Sequence, residues 1–124
     1  MEGPPIMYEY SALVTDVYDG DTITVDLDLG FGIVMRDQKF RLLGIDAPEV
    51  RGPERLEGLK SAVWLRDKII NRRVTLITVK NRRGADSKGK FGRWLASVYL
   101  PGDNTTLSIN EQLIRNNLAE KREY

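Results

Sequence analysis

Apolar and polar residues alternate loosely over residues 8–18, with Tyr10, Ala12, Val14 and Val17 recurring as a half-buried strand requires. The alternation resumes more strictly over residues 22–29, where Ile23, Val25, Leu27 and Leu29 share one face. Asp19-Gly20-Asp21 lies between the two runs, and Asp-Gly is a strong tight-turn dipeptide. The first two strands therefore form a hairpin with Asp21 at the mouth of the second. Residues 30–37, with Gly30 and Gly32 flanking Phe31, read as an irregular connection. The next run, Phe40-Arg41-Leu42-Leu43-Gly44-Ile45, has the apolar character of a buried strand and closes at the corner Asp46-Ala47-Pro48-Glu49. Pro48 fixes its own φ and biases Ala47 away from helix, so Asp46 and Glu49 are held by a short rigid corner. Pro53 suits the first turn of a helix running to about Ile70. Its apolar face is Leu59, Ala62, Val63, Leu65, Ile69 and Ile70; Lys60, Arg66 and Lys68 take the wet side, and Gly58 weakens it. The β-branched run at residues 74–79 is a fourth strand and residues 91–100 a fifth. Ser108-Ile109-Asn110-Glu111 is a capping box ahead of a helix carrying Leu113, Ile114 and Leu118.

Five strands, with one helix after the third and another at the end, suit a small closed or partly closed OB-like barrel of the mainly β, α+β class. A chain of 124 residues is long enough for one core, so the expected organisation is a flexible arm over residues 1–7 and a single domain over residues 8–124. Cysteine and histidine are both absent. That excludes a disulfide framework, a thiolate nucleophile, a Ser-His-Asp triad and the usual zinc ligand sets. Acid–base or metal chemistry must run on carboxylates. The formal net charge of +1 hides an asymmetry: no Lys or Arg precedes Arg36, whereas Glu2, Glu9, Asp16, Asp19, Asp21, Asp26 and Asp28 do. Bases crowd instead into the glycine-punctuated loop over residues 80–90, which includes Arg82, Arg83, Lys88 and Lys90. No export signal opens the chain and no apolar run nears membrane-spanning length. The expectation is a soluble monomer with no membrane partner, cytoplasmic as it stands and secreted if the chain is trimmed.

Each motif alone has a structural reading. Asp19 and Asp21 can serve the turn, Arg41 can snorkel past its apolar neighbours, and a basic loop can simply be solvated. Together, Asp-Gly-Asp-Thr at 19–22, Arg-Leu-Leu-Gly-Ile-Asp-Ala-Pro-Glu at 41–49 and Lys-Phe-Gly-Arg at 90–93 resemble the staphylococcal (micrococcal) nuclease family, in that order and at suitable separations. The resemblance implies an OB-fold barrel with attached helices and a calcium-dependent phosphodiesterase. Its substrates would be single-stranded or locally melted DNA and RNA, cut to leave 3'-phosphate ends. It implies that Asp21 and Asp46 bind Ca2+ through their carboxylates, with Mg2+ the second choice, and that the Ala47 carbonyl is a further ligand. Many relatives have threonine where Ala47 stands, and a backbone ligand survives that change. Glu49 matches the catalytic glutamate that activates water, and Arg41 and Arg93 match the arginines that grip the scissile phosphate. Lys90 fits a nucleotide-holding lysine. Tyr124 stands nearest to one of the family's tyrosines, although strict register puts Lys121 or Glu123 there, and the family's third helix has no counterpart in this sequence.

Phosphodiester hydrolysis needs these residue types on its own terms. The substrate is already an anion and gains charge on its phosphoryl oxygens at the transition state, so fixed cations must face it. Arginine keeps its charge and its planar fork can hold two oxygens. An all-oxygen ligand set suits a hard cation such as calcium. Two alternatives stand beside the enzyme: a non-catalytic nucleic-acid- or protein-binding OB module, and a small barrel whose charges are structural ion pairs, Arg41 with Glu49 or Asp21 with a nearby arginine.

Overall fold

The structure, a computed structural model, describes residues 7–79 and 93–122. The expected arm before Met7, the basic loop with Arg82, Arg83, Lys88 and Lys90, and Tyr124 lie outside the described residues. In chain order the elements are β1 (Met7–Asp19), β2 (Thr22–Gly30), β3 (Ile33–Leu42), β4 (Ile45–Asp46), α1 (Arg55–Ile69), β5 (Arg73–Val79), β6 (Trp94–Tyr99), α2 (Ile109–Arg115) and β7 (Glu120–Lys121). Five of the strands close a barrel in the order β1-β2-β3-β6-β5, and β4 pairs with β7 in a separate two-stranded sheet. All barrel pairs are antiparallel except β3 with β6, where Arg41 faces Leu95. The expected barrel with two helices is what forms.

The β1–β2 hairpin turns through Gly20 and Asp21 as its sequence predicts, pairing Asp19 with Thr22. Residues 30–37 differ from the expected irregular connection. Gly30, Phe31 and Gly32 make a tight turn at positive φ, and β3 already starts at Ile33. Its first five residues are exposed, and the run Ile33-Val34-Met35 followed by Arg36-Asp37 has no apolar–polar alternation to mark a strand. The run over residues 40–45 is also broken: β3 ends at Leu42, and Gly44 at φ +80° turns the chain into β4. Buried Asn110 holds that turn in place. Its Nδ2 donates to the Leu43 carbonyl at 2.8 Å while its Oδ1 accepts from Val98 N–H of β6 at 2.9 Å.

The barrel interior is filled by side chains including Val14, Ile23, Val25, Phe40, Leu42, Leu76 and Val98, with Leu65 and Ile69 from α1 and Ile109 and Leu113 from α2. Each such fully buried aliphatic or aromatic side chain contributes about 1.5–3 kcal/mol. α2 starts as its capping box predicts, with Glu111 N–H donating to Ser108 Oγ at 3.0 Å. It ends at Arg115, so Leu118 lies beyond the helix, on the segment that leads through Asn117 at φ +58° to β7.

α1 buries Leu65 and Ile69 as its sequence suggests, but the rest of its buried face differs from the expectation. Gly58, Ser61, Leu65 and Ile69 are buried, whereas Leu59 and Val63 point to water. The small residues decide the rotation. A Cβ at Gly20 would sit 2.8 Å from the Cβ atoms of both Ala47 and Ser61, so hairpin, corner and helix meet where side chains are smallest. A Cβ at Gly58 would run into the backbone carbonyl of Glu49. Helix propensity alone predicts that Gly58→Ala stabilises α1 by about 1 kcal/mol. The clash reverses that sign. Urea unfolding is expected to show Gly58→Ala destabilised by about 1–3 kcal/mol, the usual cost of overpacking, and a stabilised variant would refute the close approach.

Candidate active site

One end of the barrel gathers the β1–β2 turn, the end of β3, the β4 corner and the entry to β6. Asp21 is carried there by the tight turn and is 3% exposed. Its carbonyl accepts from Leu42 N–H at 2.9 Å, which fastens the turn to the end of β3. Arg41 is directly opposite Thr22 in the β2–β3 register and is 8% exposed. Burying a guanidinium there is tolerable only because anions meet it. Its Nη1 pairs with Asp21 Oδ2 at 3.1 Å and its Nη2 with Asp46 Oδ1 at 3.0 Å, while Nη2 also donates to the Ile45 carbonyl at 3.2 Å. Arg41 therefore does not snorkel. It is a bridge between the two acids.

The network extends to both sides. Ala47 N–H donates to Asp21 Oδ2 at 2.9 Å, so the corner before Pro48 is pinned to the hairpin mouth. On the other side Thr22 Oγ1 donates to Asp21 Oδ1 at 3.2 Å and accepts from Arg93 Nη1 at 3.1 Å. Asp46 has an exposed side chain and a second, longer pairing with Arg122 Nη1 at 3.8 Å. Asp21, Asp46, Ala47, Arg41 and Arg93 are thus brought into one network. Glu49 is exposed, and its backbone N–H donates to Glu54 Oε2 at 3.2 Å. The Gly58 contact holds its main chain against α1.

Negative charge is concentrated at the hairpin. Burial first, then the hydrogen bond and the charge of Asp21, push the Asp19 carboxyl up to about 7. Among the described residues no group of three or more acidic, histidine or cysteine side chains is packed to hold a metal by itself. The donor set still fits a hard, well-hydrated cation. Two carboxylates already share one positive partner, an adjacent backbone segment is fixed beside them, and every donor is oxygen. Three contributors carried no assigned role in the sequence reading. Thr22 was visible within the Asp-Gly-Asp-Thr motif. Asn110 and Arg122 had no local signal, since each acts through contacts made only after the chain has folded.

Comparison with known proteins finds one family over most of the sequence. The family described as Staphylococcal nuclease homologue matches residues 39–124, a span that includes Arg41, Asp46, Ala47, Glu49 and Arg93 but not the first hairpin. The thermonuclease of Staphylococcus intermedius is 33% identical over 117 residues, covering 92% of this chain and 61% of its own length. An uncharacterised protein of Methanocaldococcus jannaschii is 29% identical over 124 residues, covering 86% of this chain and 56% of its own. The chain spans less than two thirds of the length of either relative. With the barrel and the arginine-bridged acids on one end of it, and with the matched span reaching across most of the sequence, the chain belongs to the staphylococcal nuclease homologue family.

Proposed function

We propose that this chain is a calcium-dependent nuclease that hydrolyses single-stranded or locally melted DNA and RNA by in-line attack of water, leaving 3'-phosphate ends. The observation that carries the reading is the double pairing of Arg41 with Asp21 and Asp46, joined through Thr22 to Arg93. Family membership and a relative named thermonuclease support it. Asp21 and Asp46, with the Ala47 carbonyl, would hold the calcium ion, which supplies positive charge to the phosphate and to the attacking water. Arg41, which sits beside both carboxylates, would present its guanidinium to the phosphate. Arg93 meets the same phosphate from the β6 side, and the two guanidiniums stabilise the charge that grows on its oxygens. Glu49 takes the proton from water, and exposure to solvent leaves its carboxylate accessible for that work. The P–O5' bond breaks and the 5'-oxygen leaves as a hydroxyl after taking a proton from solvent water, so the phosphate stays on the 3' side. Lys90, Lys88, Arg83, Arg82 and Tyr124 are assigned to holding the polynucleotide.

One observation favours a second reading, a binding module of the same fold without catalysis: both acids are satisfied by Arg41 without any added ion. Incubation of single-stranded DNA and RNA with the chain separates the two. The enzyme degrades them in calcium, stops in excess chelator, and leaves ends that a phosphatase can trim. Salt-dependent binding of intact strands in calcium, with no cleavage by folded protein, establishes the module instead.

A further inference from the structure

The two grooves that flank the acid–arginine network have opposite character. One, of about 430 Å³, has Asp46, Glu54, Glu57 and Glu120 in its walls. The other, of about 380 Å³, is lined by Asp16, Tyr18, Thr22, Thr24, Lys39 and Arg93. Its acid is already neutralised, because Asp16 Oδ1 pairs with Arg66 Nη2 at 3.0 Å. Beside that pair the groove is lined by Lys39, Arg93, two threonines and Tyr18, which is 53% exposed.

Register explains how these residues come together. Thr24 lies opposite Asp16 on β1 and opposite Lys39 on β3, so the three form a row across the outer face of the barrel. Lys39 and Arg41 are two residues apart on β3 and point to the same side of it. Tyr18 lines the groove from β1, next to the hairpin turn. Arg93 belongs both to this groove and, through Thr22, to the network around Asp21. A polyanion that has its reacting phosphate at Arg93 is repelled by the acidic groove and attracted into this one.

Resting on the nuclease reading, we propose that this outer face of β1, β2 and β3 is a second nucleotide subsite, in which Lys39 pairs with a flanking phosphate and Tyr18 stacks on an unpaired base. Cations for the backbone and an aromatic face for the base are the chemistry by which single strands are held without sequence preference. The subsite lengthens the stretch of strand that is gripped, and it favours substrates whose bases are free to unstack.

The test measures binding of a labelled single-stranded oligonucleotide in calcium, in a Glu49→Ser background so that the strand stays intact. Tyr18→Ala is expected to weaken binding on the order of 10-fold, with Tyr18→Phe restoring it, because the ring and not the hydroxyl does the stacking. Lys39→Ala is expected to reduce the slope of log affinity against log salt by about 0.7, the loss of one phosphate contact on a single strand. The proposal is overturned if Tyr18→Ala binds as tightly as its parent, if Lys39→Ala keeps the parent slope, or if the parent binds no single strand. Cleavage by the Glu49-containing chain is scored separately. A strand that is held as described but never cut removes the nuclease reading alone, and a strand that is cut while both groove variants bind normally removes the subsite alone.

Discussion

Glu49→Ser is expected to cut the turnover of single-stranded DNA by about 100- to 10,000-fold, the usual span of general-base assistance, while the unfolding midpoint stays close to that of the parent. The separation of the two effects follows from where Glu49 sits. Its side chain is exposed, and its backbone N–H, which serine retains, donates to Glu54 Oε2. Surface substitutions of this kind usually change stability by less than about 0.5 kcal/mol. Steady-state cleavage rates beside a urea titration give both numbers from one preparation. A loss of less than about 10-fold would remove Glu49 from the chemistry, since a positioned base contributes more than that. A collapse of stability would make it a structural residue instead.

Arg41→Met should destabilise the fold by about 3–5 kcal/mol, because it leaves Asp21 as a nearly inaccessible carboxylate without its guanidinium. Ala47 N–H and the Thr22 hydroxyl still donate to Asp21, which places the expectation toward the lower end of that range. Two further measurements keep the cause identifiable. Arg41→Met combined with Asp21→Asn removes both charges and is expected to recover a large part of the loss, as replacement of a whole buried pair usually costs little. Calcium is expected to raise the stability of Arg41→Met more than that of the parent, since Asp21 and Asp46 have then lost their shared cation and ligand binding stabilises by mass action. Urea midpoints for the parent and Arg41→Met, each with and without calcium, and for the double variant are sufficient. If the single variant is as stable as the parent, the pairing contributes nothing to the fold.

Much of this arrangement was legible in the sequence wherever one side of an element is buried. The β1–β2 hairpin shows itself through a period of two and an Asp-Gly turn, and that is enough to put Asp21 at the end of the barrel. The capping box at Ser108 marks the start of α2 for a similarly local reason. The misreadings share a cause. The start of β3 is exposed on both faces, so Ile33 to Asp37 carries no alternation to detect. α1 has apolar residues around much of its circumference, and periodicity alone favoured Leu59 and Val63 over Gly58 and Ser61. Close approach chose the small residues, because the corner at Ala47 to Glu49 packs directly against them.

By itself the sequence determined the turn chemistry, the half-buried strands and the kinds of group available for catalysis: acids and arginines, with neither histidine nor cysteine. Only the tertiary structure decided which of those groups meet. Arg41 could have reached water, and instead barrel closure and the β4 corner set two carboxylates around it. Arg93 joins Thr22 across a separation of 71 residues, and Asp21 receives Ala47 N–H across 26. Contacts of that range depend on how strands register and close, which local patterns of apolar and polar residues do not encode.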